Sequence, residues 1–247
     1  MKMQQIVWIH LPETDSTNTY LHHYKGEEGS LMTVVSTDFQ TAGRGQGSNH
    51  WESEQGKNLT FSVKIHPQGV PVNRQFIMLE AGSLALKDVL SQYSDDISIK
   101  WPNDIYWRDY KISGTLSECT ISGNNIKSCI LGTGLNVNQK TFISDAPNPI
   151  SLFQIIGKEI ELQALLKQII NRMAHYIDLI DKGLYQTIDA IYHQSLYRLN
   201  QWHTYIDSEG NYEGKIIGIT PLGHLCIIDK QNRSHTYAFK EVKFVIE

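Results

Sequence analysis

The sequence predicts an α+β (mixed α/β) fold, with a large domain of strands and helices over residues 1–197 and a small β domain over residues 198–247. In the first part, apolar runs of strand length alternate with segments of helical periodicity. In the second part, short strands are separated by turn clusters at a spacing typical of a small barrel. These turn clusters lie at 208–211, 221–223 and 231–234.

The strands predicted for the large domain are short and rich in β-branched residues or alternate apolar with polar ones. They span 6–11, 30–39, 58–66, 97–101, 112–122 and 126–138. The last two flank a Gly-Asn-Asn sequence, Gly123 to Asn125, which favours a hairpin.

Four helices are predicted. The first follows Asp15 or Ser16, either of which suits the N-cap position. The others span 75–90, 161–182 and 184–196, and the helix over 161–182 carries the clearest apolar stripe.

Composition narrows the class of protein. The chain has 247 residues, a formal net charge of −4 and three cysteines without CxxC spacing. A negative charge argues against a nucleic-acid partner. The cysteine pattern predicts reduced thiols, and neither a signal peptide nor an apolar run of the ~20 residues needed to cross a bilayer is present. We therefore expect a cytoplasmic protein with no membrane association.

A long polar loop over 41–57 is the first candidate site, since structureless loops of this length are typically functional or disordered. Its glycines at 43, 45 and 47 can form a nest of N–H groups for an anion, and Arg44 adds a fork that matches phosphate or carboxylate. The alternative is a flexible loop with one solvated arginine. Neither the Walker spacing nor GxGxxG opening a helix is present.

The second candidate is KWPND, residues 100–104. Because Trp101 precedes a proline, it is expected to be extended and to leave Asn103 and Asp104 at the end of a strand. A carboxylate beside an amide suits Mg²⁺ and nucleotide phosphates. The alternative is an Asx turn with no ligand.

Two further candidates follow. Lys111 stands before Gly114, and GTGLNVN at 132–138 has two glycines that permit a close approach to the backbone, with Asn136 beside them. The alternatives are a solvated lysine and a strand bulge. No convincing Ser-His-Asp or Cys-His nucleophile pattern is present.

The order of five motifs is more specific than any one of them. DSTN at 15–18, QTAGRGQG at 40–47, KWPND, KISG at 111–114 and GTGLNVN together resemble the biotin protein ligases. The resemblance covers roughly residues 6–140, and the small β domain also fits. It implies a catalytic domain related to class II aminoacyl-tRNA synthetases, over 1–197, and an SH3-like domain over 198–247.

The resemblance implies an activity, too. Biotin protein ligases use MgATP to convert biotin into biotinoyl-5′-AMP and pyrophosphate. They then transfer the biotinoyl group to one lysine of a biotin carboxyl carrier domain of a biotin-dependent carboxylase. By this reading the catalytic residues are Lys111 and Arg44.

The same resemblance assigns residues to the two substrates. Biotin would contact Ser16, Thr17, Asn18, Gln40, Arg44, Gly45, Gln46, Lys111 and Gly114. ATP or the adenylate would contact Gly43, Arg44, Trp51, Asn103, Asp104, Lys111 and Asn136. Asp104 is the candidate ligand of Mg²⁺.

Two departures from the family pattern matter. Many relatives carry further arginines in the glycine loop, where this chain has Gln46 and Asn49, so we expect looser retention of biotinoyl-AMP. DSTN begins at Asp15, which leaves no room before it for the DNA-binding module of some relatives, so we expect a ligase without repressor function.

Other assignments stay open. A lipoate-protein ligase or octanoyltransferase shares the fold and the acyl-transfer logic, and a non-catalytic biotin-binding regulator is the alternative from another class. The sequence does not choose between a monomer and a homodimer, nor does it identify the acceptor carboxylase.

Overall fold

A computed structural model describes residues 6–25, 30–43, 45, 51–143 and 148–246. Strands β1 to β7 of the large sheet span Ile6–Thr14, Met32–Gln40, Leu59–Ile65, Ile97–Lys100, Asp104–Trp107, Tyr110–Ser122 and Asn125–Leu135. The helices α1 to α5 span Thr17–His23, Phe76–Leu90, Leu152–Ile156, Leu162–Asp181 and Tyr185–Gln194. Strands β8 to β12 span Trp202–Asp207, Gly210–Ile219, Leu225–Asp229, Ser234–Tyr237 and Lys243–Phe244.

The first seven strands form one sheet in the order β1-β2-β3-β7-β6-β5-β4. Only β1 and β2 run parallel; the other neighbours are antiparallel. The predicted hairpin is confirmed, since β6 and β7 pair along their length up to the turn at Gly123. The mixed α/β class and the four predicted helices are likewise confirmed, while the short elements β5 and α3 were not predicted.

The prediction of a small C-terminal barrel is wrong in one respect. Strands β8 to β12 form an open sheet in the order β11-β10-β9-β8-β12, so among the described residues the two outer strands do not pair and the barrel does not close. Closure would require β11 to pair with β12, but β12 is only two residues long and pairs with β8.

The two faces of the large sheet differ sharply. Phe61, Val63 and Leu131 are fully buried in the main core together with apolar residues of α2 and α4, and we call this side the packed face. The helix α2 comes so close that a Cβ on Gly82 would lie 2.9 Å from Leu131 Cδ1. The packed face thus contributes most of the apolar burial of this domain.

The opposite side of β3 and β7, together with the neighbouring β6, carries mostly small residues. Ser62 pairs with Gly132, which also pairs with Leu116, and Gly134 pairs with Gly114. Since residues that pair directly across antiparallel strands point to the same side, these residues share what we call the glycine face. The short helix α1 covers one end of it through a small cluster of Leu21, Val35 and Ile130.

The small sheet packs against the point where β4 ends. Trp101 Nε1 donates a hydrogen bond of 2.8 Å to the Gly223 carbonyl, and Ile216 and Ile227 of the small sheet belong to the main core. The Trp101–Pro102 peptide is cis. Among the described residues, none of the helices combines the length and the apolar character needed to span a bilayer.

Candidate active site

Helix α1 delivers the DSTN motif to the glycine face. Ser16 is its N-cap, with an extended backbone and a side-chain oxygen that accepts from Thr19 N at 3.5 Å. This confirms one of the two predicted caps. Thr17 and Asn18 follow in the first turn and are 3% and 4% exposed, so both side chains must find their partners inside the protein.

Those partners form a continuous series, which we call the polar chain: Gln40, Thr17, Ser62, Asn18 and Glu118. Thr17 N donates to Gln40 Oε1 at 2.8 Å, and the Thr17 and Ser62 hydroxyl oxygens lie 2.6 Å apart. Ser62 Oγ donates to Asn18 Oδ1 at 2.5 Å. Asn18 Nδ2 donates to Glu118 Oε2 at 2.8 Å, and His22 Nε2 lies 2.9 Å from the same oxygen. The polar chain therefore connects four separate elements of the fold.

Three glycines provide a floor that side chains can approach closely. A Cβ on Gly132 would lie 2.1 Å from Asn18 Oδ1, and one on Gly134 would lie 2.3 Å from Cε2 of Trp51. A Cβ on Gly114 would lie 3.1 Å from Asp104 Oδ1 and 3.2 Å from Lys111 Nζ. The prediction that the glycines of 132–138 permit a close approach is confirmed, and the approaching groups are two predicted site residues.

Lys111 and Asp104 form an ion pair at the other end of this floor. Lys111 Nζ lies 2.7 Å from Asp104 Oδ1, with the two side chains 29% and 20% exposed. The Trp51 ring centroid is 5.8 Å from the same Nζ. We call Asp104, Lys111, Gly114 and Trp51 the ion-pair cluster. An ammonium group has three donors, so Lys111 can bind Asp104 and an anionic ligand together.

A second lysine lies beside this cluster. Lys100 pairs with Asp104 across β4 and β5, and its Nζ lies 4.9 Å from the Phe244 ring centroid. Burial lowers the pKa of Lys100, the positive charges of Lys111 and Arg198 lower it further, and the Asp104 carboxylate opposes both effects. Asp104 therefore makes its ion pair with Lys111 and acts on Lys100 only through its charge.

Two asparagines predicted to face the nucleotide are partly engaged within the protein. Asn103 Nδ2 donates to the Thr115 carbonyl at 2.5 Å. Asn136 Nδ2 donates to the Ile150 carbonyl at 3.1 Å, but its buried Oδ1 has no partner among the described residues, and neither has Nε1 of Trp51. Because buried polar atoms are rarely left unpaired, these two atoms are candidates for ligand contacts.

The glycine loop is described only in part. The Trp51 amide donates to the Gly43 carbonyl at 3.5 Å, which holds the end of the loop near its start. Arg44, Gln46 and Asn49 lie outside the described residues. Their assigned contacts stay predictions, and so do the ligand contacts of Gly43 and Gly45.

The structure adds two residues to the site that sequence reasoning missed. Ser62 lies within an alternating strand and has no local feature to distinguish it, yet it is fully buried in the centre of the polar chain. Glu118 comes four residues after Gly114 on β6, and the sequence signals only a polar position in a strand. His22, whose side chain is partly exposed, contacts Glu118.

A magnesium ion would find limited protein ligands here. Among the described residues, no three His, Cys, Asp or Glu side chains are grouped to hold a metal. Mg²⁺ at nucleotide sites is commonly held by one or two carboxylates together with substrate phosphates. Asp104 is such a carboxylate, so the residues present fit a metal that arrives with its nucleotide.

Amide and hydroxyl groups at one end of a glycine floor and the Lys111 ammonium at the other suit an elongated ligand with a polar head and an anionic tail. The chain belongs to the biotin/lipoate A/B protein ligase family, whose model matches residues 11–136, just over half of the chain.

Individual relatives agree with this membership. The bifunctional ligase/repressor BirA of Bacillus spizizenii is 30% identical over 162 residues, which cover 63% of this chain and 49% of that protein. Biotin–protein ligase 2 of Arabidopsis thaliana is 26% identical over 246 residues, 92% of this chain and 70% of that protein. The chain thus spans about half the length of the first relative and a larger share of the second.

The fold has solved counterparts. The structure of the biotin protein ligase from Aquifex aeolicus in complex with biotin and ATP superposes with a TM-score of 0.78 at 23% identity. The match covers 98% of this chain and 100% of that one, so it includes the small C-terminal sheet.

Proposed function

We propose that this chain is a biotin protein ligase that uses MgATP to form biotinoyl-5′-AMP and then transfers biotin to a lysine of a biotin carboxyl carrier domain. The observation that carries the proposal is the placement of the polar chain and the ion-pair cluster on one glycine floor. Family membership leaves the acyl group open between biotin and lipoate. A polar chain of buried amides and hydroxyls favours biotin, whose ureido ring needs such partners, whereas the dithiolane of lipoate does not.

The first step requires no general base, because a carboxylate is already ionised near neutral pH. A biotin carboxylate oxygen bonds to the α-phosphorus of ATP, and the bond from that phosphorus to the bridging oxygen breaks to release pyrophosphate. The barrier is the approach of two anions. Lys111 is placed to lower this barrier. Its Nζ contacts Asp104 and retains donors for the biotin carboxylate and the α-phosphate.

Residues of this chain supply orientation as well as charge. Asp104 holds Lys111 over Gly114 and is the candidate ligand of Mg²⁺. When bound with ATP, the metal would neutralise phosphate charge and polarise the α-phosphate. The Trp51 ring on Gly134 would cover the adenylate and limit the access of water.

In the second step the neutral amine of the acceptor lysine attacks the carbonyl carbon of the adenylate. The carbon–oxygen bond to AMP then breaks, and the nitrogen loses a proton. Lys111 stabilises the developing negative charge on the departing phosphate. The nucleophile belongs to the carrier, which accounts for the absence of a catalytic triad pattern from the sequence.

Family membership supports the finer assignments in the same proposal. We infer a catalytic domain of the kind seen in class II synthetases over 1–197 and an SH3-like domain over 198–247, with the boundary in the segment between α5 and β8. We further infer a cytoplasmic location and a carrier domain of a biotin-dependent carboxylase as the partner. Monomer and homodimer remain alternatives.

The direct test is adenylate formation from α-labelled ATP and Mg²⁺ with biotin or with lipoate. We expect labelled acyl-AMP with biotin only, followed by release of AMP when a biotin carboxyl carrier domain is added. A carrier whose acceptor lysine is replaced by arginine is the control and should leave the adenylate intact. Product with lipoate only would assign the chain to the other branch of the family. Absence of product with both would favour a binding-only role.

A further inference from the structure

Glu118 on β6 contacts Asn18 and has no role in the activity derived above. Asn18 is 4% exposed and lies against Gly132, so its amide has little freedom to turn. Its two polar atoms face different partners: Nδ2 faces the Glu118 carboxylate at 2.8 Å and Oδ1 faces the Ser62 hydroxyl at 2.5 Å.

The carboxylate decides which way this amide points. A carboxylate accepts hydrogen bonds and cannot donate them, so the NH₂ group of Asn18 must face Glu118. The amide oxygen therefore faces Ser62, and the Ser62 hydroxyl must donate to it. His22 Nε2 contacts the same carboxylate oxygen at 2.9 Å, so Glu118 is held from two sides.

The donor role of Ser62 also fixes which hydroxyl donates in its contact with Thr17. A hydroxyl has one hydrogen, and that of Ser62 is used on Asn18. In the 2.6 Å contact between the two hydroxyls, Thr17 is consequently the donor. Its single hydrogen is then unavailable for Gln40 Oε1, which lies farther away at 3.1 Å and already accepts from the Thr17 amide at 2.8 Å.

Two groups can therefore bind a ligand in opposite ways, the Thr17 hydroxyl as an acceptor and the Gln40 amide as a donor. Thr17 Oγ1 keeps free lone pairs and acts as an acceptor. The Gln40 side-chain oxygen accepts from the Thr17 backbone N–H, and its Nε2 hydrogens have no acceptor among the described residues. Gln40 Nε2 lies near Gly43, where an added Cβ would be 3.1 Å from it. An acceptor beside a donor matches a cyclic urea, which presents an N–H next to a carbonyl.

We propose that Glu118 is a positioning residue, which sets the donor–acceptor direction of the polar chain so that Thr17 presents an acceptor and Gln40 a donor to the ureido ring of biotin. This rests on the proposed function, because it takes biotin as the ligand. Glu118 itself does not touch the ligand; it acts through Asn18 and Ser62.

Glu118→Gln tests the proposal with almost no change in shape. The new amide can donate or accept, so the direction of the polar chain is no longer defined and Thr17 is no longer held as an acceptor. We expect KM for biotin to rise about threefold to tenfold, the effect of one misdirected hydrogen bond. KM for ATP and the melting temperature should match those of Glu213→Gln, a control carboxylate that is exposed on β9 of the small sheet.

A double-mutant cycle distinguishes this role from a merely structural one. Ser62→Ala cuts the polar chain between Asn18 and Thr17, so Glu118→Gln should have no further effect on KM for biotin in that background. Equal biotin KM values for wild type and Glu118→Gln would overturn the proposal, as would equal rises in the KM for biotin and for ATP, or effects that simply add in the cycle. Failure of the wild type to bind biotin would instead overturn the proposed function, and it would be seen before any variant is compared.

Discussion

The packed face and the glycine face of the large sheet are built from alternate residues of the same strands, yet they do opposite things. Phe61 and Leu131 fill the core under α2, while their neighbours Ser62 and Gly132 leave space and polar atoms on the other side. Because side chains alternate along a strand, one short sequence specifies a core and a site floor together. The lesson is that stability and ligand chemistry can be changed separately, one residue apart.

The largest expected effect is on the glycine face. Replacing the Lys111 ammonium by the apolar chain of methionine removes the positive charge where two anions must meet, and we expect the rate of adenylate formation to fall about 10²–10³-fold. The melting temperature should change little, since the Lys111–Asp104 pair is partly exposed and such pairs contribute little to stability.

The matched control for this prediction is Lys127→Met, because Lys127 is an exposed lysine on β7 far along the strand from the ion-pair cluster. Adenylation by the control should equal that of wild type. A Lys111→Met protein with more than half of the wild-type rate would remove Lys111 from the chemistry.

On the packed face, Leu131→Ala should lower stability and leave ligand binding unchanged. Leu131 is fully buried, so the truncation leaves a cavity and should lower the free energy of unfolding by about 3 kcal/mol. Denaturant unfolding measures this, with Leu222→Ala as the control because Leu222 is 60% exposed. The KM for biotin of the folded fraction should stay at the wild-type value; a tenfold change in it would mean that the two faces are not separable.

A methyl group added to the glycine floor should disturb the site and leave the packed face unchanged. Gly134→Ala places a Cβ 2.3 Å from the Trp51 ring, so the ring must move, and we expect KM for ATP to rise about tenfold. Gly114→Ala meets only the flexible end of Lys111 and one carboxylate oxygen at 3.1–3.3 Å, so its effect should be smaller. Steady-state kinetics at varied ATP compares the two, and the reverse order would show that Trp51 is not part of the nucleotide site.

The last effect is on stability alone and comes from an ionisable group within the packed core. Burial, followed by the proximity of Asp189, raises the pKa of Glu80 from 4.5 to about 9, and Arg74 opposes the rise. Between these two values the folded protein holds a proton that the unfolded chain releases, so the free energy of unfolding falls as pH rises through this window.

Glu80→Gln removes that titration and keeps a side chain able to donate to Asp189. We expect the variant and wild type to be equally stable near pH 4.5 and the variant to be more stable by about 4 kcal/mol at pH 8, since each pH unit in this window is worth about 1.4 kcal/mol. Urea unfolding at both pH values measures the difference. Parallel pH dependences for wild type and variant would contradict the raised pKa.

Much of the fold could be predicted because its signals are local. The apolar stripe of α4, the Gly123 turn of the hairpin and the Ser16 cap each depend on residues close in the chain. Strand β5 and helix α3 escaped prediction because four or five residues carry too little periodicity. The open small sheet escaped it too, since turn spacing reports the number of strands and not whether the outer two pair.

Some residues of the candidate site could likewise be predicted from the sequence, and others could not. The motifs that contain Asp104 and Lys111 were recognisable as sequence, and the structure brings these two together. Ser62 and Glu118 were not recognisable, because their contacts with Asn18 join residues 44 and 100 positions apart in the chain. A buried polar chain is a property of the tertiary fold, and no spacing in the sequence encodes it.

A crystal structure of the protein with biotin and ATP would show whether the polar chain and Lys111 bind opposite ends of biotin. We expect the ureido ring to lie against Thr17 and Gln40 and the carboxylate to reach hydrogen-bond distance of Lys111 Nζ, both over the glycine floor. A ligand bound on another surface, or in the reverse orientation with its carboxylate at the polar chain, would contradict this expectation.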